Sequence, residues 1–454
     1  MHPDKLRIED KLANLPIGKL LWEYSLPAIV GTMVSSLYNV VDRIFIGQGV
    51  GALAISGLAL TMPFMNFLIA FGMLIGAGAA TCISISLGEK DYDKANKVLA
   101  NAAILLLAIM IVVTCVSLVF MTDILMLFGG SKRTVGYAED FMSIIIPAML
   151  IGTFNHSFNN IMRASGYPRK AMLTMFISAG VNVILNPIFI FGFKWGIKGA
   201  AIATAIAMTV SCVWVMLHFF KKDSTIFFKK ENFKLDKKII TSILGIGISP
   251  FSMQIAMSAV VVIINMSLIR YGGDLAVGAY GIFVSVIMLI VMFIIGLNQG
   301  AQPILGFSFG SKNYDRMFRT LKLTAIIATV ISTLGFIVGM IFPKLVISAF
   351  THDTELQQIA ANGLRISVLV FPLVGSQIVF TNFFQSIGKA KIAMLLSLTR
   401  QVLFLIPLLF ILPPIFKLNG VWYSMPLSDF LSTFVTTLTL ILFIRKFKMN
   451  IPKV

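Results

Sequence analysis

Apolar residues run along this chain in long blocks rather than at the alternating spacing of strands or the stripe of a soluble helix. Residues 44–88 and 275–311 carry no charged side chain, and shorter charge-free runs cover 24–41, 98–122, 141–162, 171–193, 239–269, 323–343 and 366–388. A helix needs about 20 apolar residues to cross a bilayer core. The two longest blocks therefore exceed one crossing, and the first holds a charge-free reversal at Gly47-Gln48-Gly49-Val50-Gly51. The pattern predicts twelve spans, over 20–46, 53–87, 98–120, 138–164, 171–193, 199–220, 241–269, 276–309, 319–342, 361–387, 392–414 and 420–444. Open strands leave backbone groups unsatisfied in hydrocarbon, and these blocks are far longer than barrel strands. The expected fold is an all-α membrane protein.

The pattern also repeats. Leu87-Gly88-Glu89-Lys90-Asp91-Tyr92-Asp93-Lys94 recurs as Phe309-Gly310-Ser311-Lys312-Asn313-Tyr314-Asp315-Arg316, and Pro27/Pro250, Gly78/Gly300, Pro147/Pro372, Gly166/Gly388 and Gly199/Gly420 extend the match. Each copy holds six spans, so both start on the same side and the repeats are parallel, related by an axis along the membrane normal. The expected organisation is a six-helix lobe over 1–220, a linker over 221–240 and a second six-helix lobe over 241–454. Paired prolines within spans, Pro27/Pro250, Pro147/Pro372 and Pro187/Pro407, remove intrahelical donors and predict bends at matching places. Such a pair of lobes suits rocking about a central pathway.

Composition agrees: 57% of the 454 residues are hydrophobic, 12% are charged, and the mean hydropathy is +0.91. Soluble domains are about a quarter charged. The net charge of +18 would fit a polyanion groove were it gathered in one patch, but it follows the connections. Both termini and the even-numbered loops collect 27 of the 37 Lys and Arg. That is the positive-inside bias, so both termini are expected in the cytoplasm and no nucleic-acid partner is implied. The linker interleaves lysine pairs with Phe227, Phe228 and Phe233 and reads as a tether on an anionic leaflet. No cleavable signal is expected, because the first apolar run is a full span. Cys82, Cys115 and Cys212 all fall in apolar spans and read as packing residues, not a disulfide or metal framework.

Ionisable groups inside spans are costly and become functional candidates. Asp42 is the sharpest. It follows Tyr38 by four residues, which puts both on one helical face. Apolar enclosure favours the protonated form of a carboxyl group, as a proton-coupled carrier requires. The competing reading is an interfacial acid within about 8 Å of the span end, beside a snorkelling Arg43. In the fifth span Asn182 and Asn186 are likewise four apart and precede Pro187. Two carboxamides on one face either receive a cation or substrate, or serve as interhelical glue. Asn159-Asn160 before Arg163 and Thr204 after Gly199 are weaker signals of the same kind. Arg400 and Asp429 sit at similar depths in adjacent spans, the former roughly 13 Å in. A structural ion pair is the preferred reading, with a second coupling site as the alternative. The 25 methionines and 38 phenylalanines permit a pliable apolar cavity without demanding one.

At Tyr38-Asn39-Val40-Val41-Asp42-Arg43-Ile44-Phe45-Ile46-Gly47, together with Arg163-Ala164-Ser165-Gly166, Asn182-Val183-Ile184-Leu185-Asn186-Pro187-Ile188-Phe189 and Gly199-Ala200-Ala201-Ile202-Ala203-Thr204, the chain resembles the MATE (multidrug and toxin extrusion) family. The likeness covers all twelve spans and looks closest to the bacterial DinF-like and MepA-like branch. It implies two six-helix lobes in a V, alternating access driven by a proton or sodium gradient, and export of amphipathic, often cationic compounds. It also implies a coupling site in the first lobe, carried here by Asp42, Asn182 and Thr204, with Tyr38 and Asn159 lining the cavity. Asn186 stands where that branch has a second acid. This departure works against sodium, since hard cations prefer anionic oxygens. The NorM-like branch implies acids on spans seven and ten; here span seven offers Gln254 and Asn265 and no acid.

The expectation is therefore a proton-coupled (or sodium-coupled) multidrug antiporter of a bacterial inner membrane. It is expected to act as a monomer in the lipid bilayer on hydrophobic or cationic small molecules, with no cofactor beyond the coupling ion and no enzymatic activity. A lipid-linked oligosaccharide flippase is the alternative, but its pyrophosphate would call for several deep cations and Arg400 stands nearly alone. A passive channel is separated by testing for concentrative transport. An intramembrane enzyme would need a catalytic constellation, and His2, His156, His218 and His352 are scattered.

Overall fold

The computed structural model describes residues 3–50, 52–127, 135–351 and 353–449. Gly51 of the expected first reversal, the side chain of Arg43, His2 and His352 lie outside the described residues. Every regular element among those described is helical. In order they are α1 (Pro3–Asn14), α2 (Ile17–Gly49), α3 (Ala52–Gly88), α4 (Tyr92–Val119), α5 (Met121–Leu127), α6 (Val135–Ala164), α7 (Pro168–Pro187) and α8 (Gly196–Phe220). After the connection at 221–236 come α9 (Lys237–Gly310), α10 (Tyr314–Ile341), α11 (Pro343–Ser348), α12 (Thr354–Ser367), α13 (Phe371–Ser386), α14 (Ala390–Leu398) and α15 (Ile406–Met449).

Two of these are far too long to be single crossings. At 1.5 Å per residue, α9 would reach about 110 Å against a core of about 30 Å. It breaks at Gly273, whose φ of 67° is left-handed, into Lys237–Gly273 and Leu275–Gly310. The continuous run Ala390–Met449 breaks likewise at Lys417, φ 52°. The tenth expected span is a bent pair, α12 and α13 meeting at 56°, with Pro372 in the first turn of α13 where its missing N–H is harmless. With these breaks counted, twelve crossings form two six-helix bundles. The prolines at 187 and 407 take a form the sequence did not suggest. Each adjoins a wider π-type turn, Ile188–Gly192 after Pro187 and Thr399–Leu405 before Pro407, one of the recognised ways a helix absorbs a break. Helix α1 was also unforeseen. It buries Leu12 and ties Lys11 Nζ to Glu23 Oε1 at 2.7 Å.

The repeated segment folds identically in both bundles. Asp91 and Asn313 accept from the backbone N–H of Lys94 and Arg316, capping α4 and α10. Lys90 and Lys312 take φ of 60° and 58°, and the closing bonds Asp91 N–Ser86 O and Asn313 N–Ser308 O are both 2.9 Å. Gly166/Gly388 and Lys194/Lys417 are further left-handed pairs.

Core packing reveals how the bundles sit. One apolar cluster draws on both, from Leu74, Ile83 and Phe158 to Ile304, Phe307 and Phe383. Two others are private: Ile46, Phe64, Phe141 and Ile197 in the first bundle, and Leu268, Leu364, Leu405 and Trp422 in the second. The bundles therefore share a core at the end bearing the Lys90 and Lys312 turns and part toward the other, giving a V. At the joined end the contact is reciprocal. A Cβ on Gly88 would strike the carbonyl of Phe307, and one on Gly310 the carbonyl of Ile85, so the pseudo-twofold axis passes between these backbones. Exposed Leu107, Ile111, Val112, Val116 and Val119 on α4 face outward, as helices solvated by lipid do.

Candidate functional site

In the private half of the first bundle, α2, α7 and α8 bring together four of the residues singled out by sequence. The i, i+4 spacing puts Asn182 and Asn186 on one face of α7, where they are 1% and 0% exposed. Asn182 Nδ2 donates to Thr204 Oγ1 of α8 at 3.1 Å. Asn186 Nδ2 donates twice, to Asn182 Oδ1 at 2.8 Å and to Asp42 Oδ1 of α2 at 2.5 Å. Three helices are thus joined by one polar chain ending on a carboxyl group. Asp42 is partly exposed, and Tyr38 stands one turn before it on the same face, also partly buried.

This hydrogen-bonded network leaves the Asn186 Oδ1 atom buried and without a hydrogen-bond partner among the described residues. A buried orphan acceptor costs about 1–3 kcal/mol, and this one sits on the amide that already bonds Asp42. A protonated carboxyl group or a small cation could satisfy it. Among the described residues no group of three or more His, Cys, Asp or Glu is placed to hold a metal ion.

Asn159 lies elsewhere. It is 4% exposed, donates to Ala171 O at 2.7 Å, and accepts from Arg163 Nη2 at 3.0 Å. Its i, i+4 relation to Arg163 directs it to the joined end, not to the chain ending at Asp42. Arg163 is itself buried and reaches across the V, donating to Gln299 Oε1 at 2.6 Å. Gln302 Nε2 donates to Thr81 Oγ1 at 2.9 Å, and Arg316 Nη2 to Leu15 O at 2.7 Å. Sequence reasoning missed this seam. Its available signal was the pair Gln299 and Gln302, three apart in a run without charge. Asn155, one turn before Asn159, donates to Ser211 Oγ at 2.9 Å, so polar groups follow α6 from the middle of the bundle to the seam.

In the second bundle Arg400 Nε donates to Asp429 Oδ1 at 2.5 Å, and Ser428 Oγ caps the Arg400 carbonyl at 2.7 Å. Asp429 is 6% exposed and the Arg400 side chain 30%.

Against this geometry, the family profile described as MatE matches residues 27–188 and again 250–411, once in each bundle. The chain belongs to the MatE family. Among relatives of this MatE chain is the "Multidrug export protein MepA" of Staphylococcus haemolyticus, 29% identical over 92% of both chains. The protein of the same name from Staphylococcus aureus strain MRSA252 is 29% identical over 91% of both. A solved structure described as the "Outward-facing conformation of a multidrug resistance MATE family transporter of the MOP superfamily" superposes with a TM-score of 0.91 at 24% identity, covering 97% of this chain and 98% of that one. "MATE in the bent conformation" gives 0.92 at 23% identity, covering 99% of each chain. These likenesses establish the MatE fold, a multi-pass membrane protein of two bundles joined at one end.

Proposed function

We propose that this chain is a multidrug exporter of a bacterial inner membrane, exchanging amphipathic and often cationic compounds for protons by alternating access. It carries substrates rather than transforming them. Support comes from relatives named as multidrug export proteins over nine-tenths of their length. A cytoplasmic joined end and cytoplasmic termini are supported by the basic residues on the even-numbered connections. The V then opens outward, and the Arg163–Gln299 and Gln302–Thr81 contacts close the inner side.

The observation that carries the coupling is the orphaned carbonyl of Asn186 beside Asp42. With Asp42 ionised, the amide turns its nitrogen to the carboxylate. When Asp42 takes a proton from outside, its O–H becomes a donor and the amide can present its oxygen instead. That rotation reverses the donors Asn186 offers to Asp42 and Asn182, and Asn182 passes the change to Thr204 on α8. Protonation also removes the negative charge that attracts a cationic substrate, so proton entry favours release. A site with one carboxylate and two amides suits a proton better than a sodium ion, which favours anionic oxygens. The exporter acts as a monomer, its pathway lying within one chain.

Purified protein in lipid vesicles tests the reading, with proton and sodium gradients imposed separately and a fluorescent lipophilic cation followed. Concentrative transport driven by the proton gradient is expected. Uptake driven by sodium alone overturns the proton assignment, and purely downhill movement under either gradient overturns the antiporter.

A further inference from the structure

The second bundle carries a groove that lies apart from both polar centres. It measures about 540 Å³ and runs between α10, α13 and α15, walled by Phe318 and Ala325, by Phe380, and by Leu440 and Ile444. Beyond Lys322 every exposed residue of α10 is apolar: Ile326, Val330, Leu334, Ile337, Val338 and Ile341. Such a stripe is solvated by lipid, and its first two members border the groove. Lys322 and Lys448 complete the lining. Helix α10 leaves the Lys312 turn and α15 returns to it, where the Phe447 ring lies 4.9 Å from Tyr314 and 6.1 Å from Phe318. Both lysines therefore flank the same mouth, at the joined end, and from Lys322 the groove climbs about 12 Å along α10 to Val330. Both are exposed, and among the described residues neither is in an ion pair. A lysine here lays its stem on the apolar wall and holds its ammonium group at the interface.

In the first bundle the chain itself covers the equivalent face. The repeat carries Phe318 back to Asn96 through Tyr92/Tyr314, Phe380 to Phe158 through Gly166/Gly388, and Leu440 to Phe219 through Gly199/Gly420. Helix α8 stops at Phe220 and the linker folds over this surface, its Phe228 ring 6.1 Å from Phe158, 6.2 Å from Phe219 and 5.3 Å from Phe220. Asn96 accepts from the Phe227 N–H at 2.9 Å; Asn101 accepts from the Asp236 N–H at 2.9 Å and donates to the Lys234 carbonyl at 3.1 Å. In the second bundle these two asparagines become Phe318 and Leu323, α15 runs straight on to Met449, and no described segment crosses the groove. An apolar trough with two cations at one mouth is complementary to a chain with an anionic head. We infer that the groove is a specific site for an anionic phospholipid of the leaflet bordering the joined end. An acyl chain takes the place that Phe228 fills in the first bundle, and the phosphate sits between Lys322 and Lys448. A zwitterionic lipid brings the same phosphate together with a cation, which the two lysines repel.

Native mass spectrometry of the delipidated full-length protein tests the site, with phosphatidylglycerol and phosphatidylcholine of identical chains added in turn. The first phosphatidylglycerol is expected to bind at least about tenfold more tightly than the first phosphatidylcholine, as two lysines at a membrane surface imply. Lys322→Gln/Lys448→Gln is expected to erase that preference while phosphatidylcholine binds as before. Lys221→Gln/Lys222→Gln removes the same charge from the exposed start of the linker and is expected to keep the preference. Thr329→Phe, which puts a ring into the groove, is expected to lower occupancy by both lipids. Equal binding of the two lipids by wild type overturns the site. So does a preference that survives Lys322→Gln/Lys448→Gln, or one that both double variants lose equally. A dimer that dissolves in the Lys322→Gln/Lys448→Gln protein also overturns it, and gives the groove to a second copy of the chain. None of these results bears on proton-coupled export, which the vesicle assay decides separately.

Discussion

The two bundles are copies at their joined end and strangers at their polar centres. Carried across the repeat by the Pro27/Pro250 register, Asp42 corresponds to Asn265, and by Gly199/Gly420 Thr204 corresponds to Met425. Asn182 and Asn186 correspond to apolar positions whichever flanking pair sets the register, Phe404 and Leu408 or Val402 and Ile406. The second bundle instead places Arg400 against Asp429. There a carboxylate and a guanidinium answer each other within the bundle, and removing either would strand its partner. In the first bundle the Asp42 carboxyl group instead accepts from the side-chain amide of Asn186. The duplication thus supplied one scaffold twice, and the polar centres diverged into a carboxyl–amide chain in one bundle and an ion pair in the other.

The strongest way to break that contrast is Asp42→Asn. If the first bundle alone carries the titrating group, gradient-driven efflux falls to the level of empty vesicles while membrane insertion and thermal unfolding stay near wild type. Residual proton-driven transport in a well-inserted Asp42→Asn protein would move the coupling to the second bundle.

The pair in the second bundle predicts a different signature. Removing one member of a buried ion pair costs about 3–5 kcal/mol, whereas replacing both with apolar residues is close to neutral. Asp429→Leu should therefore lower the unfolding temperature in detergent markedly, and Arg400→Met/Asp429→Leu should restore most of the loss. Equal destabilisation by single and double variants would mean that the 2.5 Å contact is not what holds α15 to its neighbour.

Most of the scaffold was legible because its signals are local. Charge-free length marks the crossings, the recurrence of residues 87–94 at 309–316 marks the repeated turn, and i, i+4 spacing puts Asn182 and Asn186 on one face. The joining of these to Asp42 and Thr204 needed only that neighbouring helices pack. The seam was not legible. Arg163 and Gln299 are 136 residues apart, and nothing local to either tells which face meets the other bundle. Asn159 was drawn toward the cavity by resemblance, yet its own helical neighbour Arg163, one turn on, holds it at the seam. The π-type turns were hidden for a related reason: a proline announces a break, but neighbouring helices decide whether it becomes a bend or a widened turn.

The joined end offers a smaller test of likeness. Gly88→Ala and Gly310→Ala each push a Cβ into a backbone carbonyl of the opposite bundle. Overpacking of this kind costs roughly 1–3 kcal/mol. If the pseudo-twofold contact is as reciprocal as it looks, both substitutions should lower thermal stability by similar amounts. Both should also loosen the closed inner side, raising labelling of a cysteine placed at Gln299. A large effect from one and none from the other would show that the two copies no longer carry equal load.

The smallest expected effect is the most direct test of the repeat. Asp91 and Asn313 perform one task, accepting a backbone N–H three residues on, at 2.9 and 3.1 Å. Loss of such a cap costs about 1 kcal/mol. Asp91 adds a full negative charge at a helix N-terminus, worth a few tenths of a kcal/mol more where exposed. Asp91→Ala should thus destabilise slightly more than Asn313→Ala, and Asn313→Asp should stabilise by that same small difference. Because both turns lie on the basic end, raised salt should erase the difference between Asp and Asn while leaving the loss on going to Ala. A difference that survives high salt would assign it to packing of α4 and α10 rather than to charge.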